Sequence, residues 1–129
     1  MTGKLLDANA VIAFQKSDPG LVALLADQEL SWYIPAPALG ELYYGAFNSS
    51  QTAANLAALD RLASEVVIVR CDKSTAKLYG QIRHVLKSKG RPIPEADIWI
   101  AALALQHDLT LITRDAHFNE VDDMKLASW

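Results

Sequence analysis

Four acidic residues, Asp7, Glu41, Asp97 and Asp115, stand in contexts where carboxylates could be gathered for metal chemistry. In LLDANAVIAF, residues 5–14, Asp7 and Asn9 interrupt an apolar run, and Asp115 follows TLIT through Arg114. If both runs are parallel strands, the two acids project at one edge of the sheet. The plainer alternative is that each is a turn residue or a helix cap, since Asp and Asn side chains accept from free N–H groups there. Asp97, in RPIPEADIWIAALAL, falls in the first turn of a helix, where the helix dipole favours an ionised carboxylate. Glu95 beside it fits the same ordinary role. Glu41, in PALGELYYGAF, has Ala38 and Gly45 as its neighbours along a helical face. Those small flanks leave room for another element or a hydrated ion, although a surface glutamate is the alternative.

Four converging carboxylates repel one another and need compensation. Hard divalent cations with oxygen ligands supply it, so the expected cofactor is Mg²⁺, with Mn²⁺ as a substitute. Zinc would call for His and Cys at recognised spacing, and His84, His107 and His117 form no such pair. One or two such ions could activate a water and stabilise the leaving oxygen of a phosphodiester. Asn9 would orient the first carboxylate or a water.

These side chains need a scaffold, and the chain alternates short apolar strands with amphipathic helices. Strands are expected at 4–6, 31–35, 65–69 and 110–113, with MKLAS near the end a fifth. Of these, EVVIV at 65–69 is the clearest, being rich in β-branched residues. Helices are expected over 8–15, 18–28 behind the cap Asp18 and Pro19, 36–47, 51–64, 72–89 ending at Gly90, and 94–107. In the last, Ile98, Ala101, Ala102 and Leu105 make an apolar stripe that takes the helix inside. The alternation argues for an α/β fold with a central parallel sheet covered on both faces. In such sheets ligands bind beyond the carboxyl ends of the strands where strand order reverses, which is where Asp7 and Asp115 would lie.

Taken together, LLDANAVIA, ELYYGA, GRPIPEADIWIAALAL and LITRDAHF, in this order and spacing, cover nearly the whole chain, and the sequence resembles PIN-domain ribonucleases, specifically VapC-type toxins of bacterial toxin-antitoxin systems. The resemblance implies a single domain, 1–129, with a three-layer α/β/α fold and four to five central strands. It implies that Asp7, Glu41, Asp97 and Asp115 are the catalytic, metal-holding acids, with Asn9 and Thr113 as polar supports and Glu95 as an accessory acid. It further implies endoribonuclease activity, a homodimer, and a cognate antitoxin whose C-terminal segment covers the active-site groove.

With 129 residues, 51% of them hydrophobic and 21% charged, the chain suits one globular domain rather than a disordered or fibrous one. The single Cys71 makes no internal disulfide and no leader pattern stands at the start, so a reducing, cytoplasmic home is expected. The apolar runs are broken short of membrane-spanning length. A net charge of -3 gives no global pull on a polyanion, so a local basic surface has to supply it. On the helix over 72–89, Lys73, Lys77, Arg83, His84 and Lys87 project to one side as candidate RNA contacts, and Leu78, Ile82, Val85 and Leu86 to the other as core. A solvated face without a partner is the alternative. Of Tyr43, Tyr44 and Phe47, Tyr43 and Phe47 are expected to pack against a neighbouring element rather than stack on bases, with dimer or antitoxin contacts as a second use, while Trp129 is ambiguous. Two further functional classes stay in play: a catalytically inactive binding module of the same fold, and an aspartyl-phosphate phosphotransferase. The latter calls for a second Asp where Asn9 stands.

Overall fold

A computed structural model describes residues 2–27 and 30–129. Twelve elements follow in chain order: β1 Gly3–Leu6, α1 Ala8–Gln15, α2 Pro19–Leu24, β2 Ser31–Pro35, α3 Ala36–Phe47, α4 Thr52–Glu65, β3 Ile68–Val69, α5 Lys73–Ser88, α6 Glu95–Gln106, β4 Thr110–Ile112, a 3-10 helix Ala116–Glu120, and β5 Leu126–Ala127. The strands form one sheet in the order β3-β2-β1-β4-β5, every pairing parallel, flanked by helices. This is the α/β architecture expected from the alternation of elements. Strand order reverses at β1, which has β2 on one side and β4 on the other, with Leu6 opposite Ile112.

Local chemistry sets most boundaries. Asp18 accepts from the N–H groups of Gly20 and Leu21, so α2 starts at Pro19, whose missing N–H is no loss there. Its regular turns end at Leu24; Gln28, the last residue of the helix expected over 18–28, lies outside the described residues. Asp72 and Thr75 close a capping box at the start of α5, and Gly90, at φ +67°, takes the left-handed conformation just beyond its end.

The core is built from Leu5 and Leu6 of β1, Leu111 and Ile112 of β4, and Ile34 of β2, all fully buried. Each such side chain contributes about 1.5–3 kcal/mol by leaving water. Helix α6 buries more than the stripe expected for it, because Ile100, Leu103 and Ala104 are enclosed as well. It packs against both α5 and α3, so no broad face meets water.

Three expectations are corrected. The strand over 65–69 shrinks to Ile68–Val69: Glu65 still belongs to α4, and Val67 is 60% exposed. This is the sheet edge, where only β2 offers a partner, so β-branched composition alone does not extend the ladder. Phe47 is 64% exposed rather than packed, since α3 docks through Ala38, Leu42 and Ala46, leaving Tyr44 and Phe47 outside. Val85 on α5 is exposed as well, whereas Ile82 and Leu86 are buried.

Candidate metal centre

Asp7 is the residue immediately after β1 and the N-cap of α1, with Oδ1 accepting from the N–H of Ala10 at 2.8 Å. Capping and site building therefore coincide. Its own N–H donates to the carbonyl of Ile112 at 3.3 Å, tying the end of β1 to the end of β4. Beyond β4, Thr113 donates from Oγ1 to Asp7 Oδ2 and accepts at the same oxygen from the N–H of Asp115. One buried hydroxyl thus joins the acids of two neighbouring strands. Asp115 caps the 3-10 helix by accepting from the N–H of His117 at 2.9 Å.

Asp97 reaches the same place from the first turn of α6. Its Oδ2 lies 3.1 Å from His117 Nδ1, which is also 3.0 Å from Asp115 Oδ1. One oxygen of each aspartate and a ring nitrogen of His117 all fall within 4.8 Å of one another. Histidine pairing in the sequence does not single out His117, which stands without a second histidine at ligand spacing. The signal available was its position two residues after Asp115, in a tight turn that returns the ring to the carboxylate.

Glu41, on α3, stands outside that close trio; it is exposed, yet near enough to Asp97, Asp7 and Asp115 to feel their charge. It lines a cavity of about 610 Å³ with Asn9, Gly45, Asn55 and Leu59, which opens beside the acids between α1, α3 and α4. A side chain added at Gly45 would meet nothing, in keeping with the space expected around Glu41. Asn9 is exposed on the wall of that cavity.

The electrostatics match the crowding. Burial raises the Asp7 carboxyl above its usual range, with Asp115 adding to the effect and the bonds from Thr113 and Ala10 opposing it. Burial also raises Glu41, reinforced by Asp97, Asp7 and Asp115. For Asp97 burial again leads upward, opposed by the hydrogen bond from His117. His117 is raised in turn, first by its hydrogen bond to Asp97. Burial and mutual repulsion thus both disfavour the ionised form of these acids, and the His117 imidazole opposes that effect at Asp97.

Glu95 goes elsewhere. It is exposed, and its Oε1 accepts from the Tyr79 hydroxyl at 2.9 Å rather than facing the four acids. Lys73, Lys77, Arg83 and Lys87 are all exposed along α5, with Arg83 and Lys87 lining a second cavity at its C-terminal half.

A family model described as the PIN domain matches residues 4–124. The chain belongs to the PIN-domain family. This PIN domain is 29% identical over 133 residues to Ribonuclease VapC1 of Haemophilus influenzae strain R2866, covering 97% of this chain and 96% of that protein. It is 30% identical over 127 residues to the tRNA(fMet)-specific endonuclease VapC of Shigella flexneri, with the same coverage. Among solved structures it is similar to VapBC2 from Rickettsia felis bound to a promoter DNA fragment, with TM-score 0.88 and 28% identity, covering 100% of this chain and 99% of that one. The same TM-score and identity relate it to VapBC-1 from nontypeable Haemophilus influenzae, over 100% and 98% of the two chains. Among the described residues of this PIN domain no helix is long and apolar enough to cross a membrane.

Proposed function

We propose that this PIN domain is a metal-dependent endoribonuclease of the VapC type, hydrolysing RNA phosphodiester bonds. The observation that carries the reading is the gathering of Asp7, Glu41, Asp97 and Asp115 at the reversal point of a parallel sheet, with Asp7, Glu41 and Asp97 all pushed toward protonation. The donor set suits a hard divalent cation: carboxylate oxygens dominate, and one imidazole is too few for a structural zinc site. The four acids would hold Mg²⁺, or Mn²⁺ in its place. Such an ion supplies positive charge against the carboxylates and the phosphodiester, and lowers the pKa of water.

The chain's own groups do the positioning. Thr113 fixes the Asp7 carboxylate and, through the Asp115 N–H, the turn that carries the second acid. Pro94 starts α6 so that Asp97 sits in its first turn, aimed at the 3-10 helix. Glu41 and Asn9 mark the boundary between the acids and the large cavity, where an RNA strand would approach the cleft. On the same reading Lys73, Lys77, Arg83 and Lys87 draw the RNA phosphates to an otherwise acidic protein.

The named relatives support the nuclease class, and the VapBC structures support a cognate antitoxin as partner. A homodimer and a cytoplasmic setting belong to the same proposal. The exposed Tyr44 and Phe47 on α3 are apolar surface that a protein partner would cover.

Purified protein, freed of any copurifying partner, is incubated with tRNA, rRNA and mRNA pools and Mg²⁺. Cleavage is expected, and loss of cleavage in EDTA and in Asp7→Asn and Asp97→Asn. Undiminished cleavage in those controls overturns the metal mechanism, and tolerance of all four acids to substitution favours the inactive binding module.

A further inference from the structure

The second cavity, of about 400 Å³, lies between the C-terminal half of α5 and the start of α6. Tyr79, Arg83 and Lys87 recur at four-residue spacing on α5, so they share one face of that helix. The Tyr79 ring is fixed by stacking on Trp99 of α6, with centroids 4.2 Å apart and planes 18° from parallel. Its hydroxyl accepts from Arg83 Nη1 at 2.8 Å and donates to Glu95 Oε1 at 2.9 Å. A cation, a phenol and a carboxylate are thereby held in a fixed order along one wall, and Leu86, Ile93 and Ile98 supply apolar surface. Among the described residues no carboxylate pairs with Lys87.

We propose that this cavity binds one guanine nucleotide of the RNA strand, an inference that rests on the ribonuclease reading. Its volume lies within the roughly 300–1,000 Å³ of small-ligand sites. Arg83 and Lys87 match a phosphate, and the apolar wall matches the face of a base. Glu95 selects among bases. The Watson–Crick edge of guanine presents two adjacent donors, N1–H and N2–H, to a carboxylate. Adenine and cytosine place a ring acceptor beside their single amino donor, and uracil flanks its one N–H with two carbonyl oxygens, so each sets a lone pair against Glu95. Because Glu95 precedes Asp97 by two residues on α6, a guanine held here lies at a fixed offset from the acids. The site therefore reads an unpaired guanine at a constant distance from the cut.

The test titrates the full chain, in EDTA, with guanosine, adenosine, cytidine and uridine 5′-monophosphates, following the Trp99 indole by NMR, and repeats it with Glu95→Gln and Lys87→Met. Both altered side chains are exposed, so the fold tolerates them. The guanine nucleotide is expected to bind about tenfold tighter than the others, the scale of about 1.4 kcal/mol. Glu95→Gln brings the four within about twofold, and Lys87→Met weakens all four by a similar factor. Equal binding of the four by the unaltered chain, or a preference that survives Glu95→Gln, overturns the proposal. So does the absence of any shift at Trp99, including the case in which a second copy of the chain covers this face. Cleavage assays on RNAs with one guanine moved along a single strand separate the two claims. Mg²⁺-dependent cleavage indifferent to guanine removes the pocket and leaves the nuclease. Guanine-selective binding without cleavage of any RNA leaves the pocket and removes the nuclease.

Discussion

Thr113 and Asp7 are 106 positions apart in the chain, yet the Thr113 hydroxyl donates to the Asp7 carboxylate inside the protein, where both side chains are nearly closed to water. That bond lowers the Asp7 pKa against the larger effect of burial. Thr113→Val keeps the shape and removes the donor, so Asp7 moves further toward protonation. Cleavage in Mg²⁺ is expected to fall about 10–100-fold, the usual scale for a group that orients a metal ligand. Thr113→Ser is expected to restore most of it, as read in single-turnover assays at fixed metal concentration.

Asp7→Asn separates stability from activity. The folded state raises the pKa of Asp7, so its ionised form weighs against folding at neutral pH, and that cost disappears with the neutral amide. In EDTA the variant is expected to melt above the unaltered protein, while cleavage falls on the order of 10²–10³-fold. A lower melting temperature in EDTA would mean that the cap on α1 and the bond to Thr113 need the second carboxylate oxygen.

The pH dependence of stability has a definite sign. Asp7, Glu41 and Asp97 are raised in the folded state by burial, and His117 is raised by its bond to Asp97. For every one of these groups, stability is fully present below the unfolded pKa and is lost as pH rises through the folded value. The loss begins above 3.8 for the aspartates and 4.5 for Glu41, and continues above 6.5 for His117. On the proposed metal-dependent reading Mg²⁺ would bind the acids in their ionised form, so its stabilising effect is expected to grow with pH over the same range. Melting curves from pH 4.5 to 8.5, with Mg²⁺ and with EDTA, check both slopes. His117→Asn is expected to flatten the segment above pH 6.5 in EDTA.

Phe118 is 1% exposed and follows His117 in the 3-10 helix, so its ring anchors the turn that presents Asp115 and His117. Phe118→Ala is expected to cost about 3–5 kcal/mol in urea unfolding, as for a large side chain deleted from a closed core. A cost below 1 kcal/mol would show that the turn collapses onto the space left behind.

Much of this architecture was legible because the signals are local. Strand β2 and helices α1 and α3 carry their own punctuation, in Pro35, the Asp7 cap and the apolar spacing of Ala38, Leu42 and Ala46. EVVIV misled for a complementary reason: strand length at a sheet edge depends on what the neighbouring strand offers, and β2 pairs with it only at Ile34 and Pro35. Phe47 misled because helical spacing identifies two opposite faces of α3 without saying which one docks.

The sequence by itself determined that Asp7 and Asp115 follow strands, that Asp97 stands in the first turn of a helix and that Glu41 lies within one, since strand ends, caps and first turns are written in short-range residue patterns. It also carried the match to the PIN-domain family, over residues 4–124. Only the tertiary structure decided which polar groups meet. It brought His117 to Asp97 and Asp115, joined Thr113 to Asp7, and turned Glu95 away to Tyr79. The physical reason is that a side chain's partner is fixed by the packing of elements distant in the chain. In β1 beside β4, and α6 against α5, that packing follows from how the core closes rather than from any local spacing.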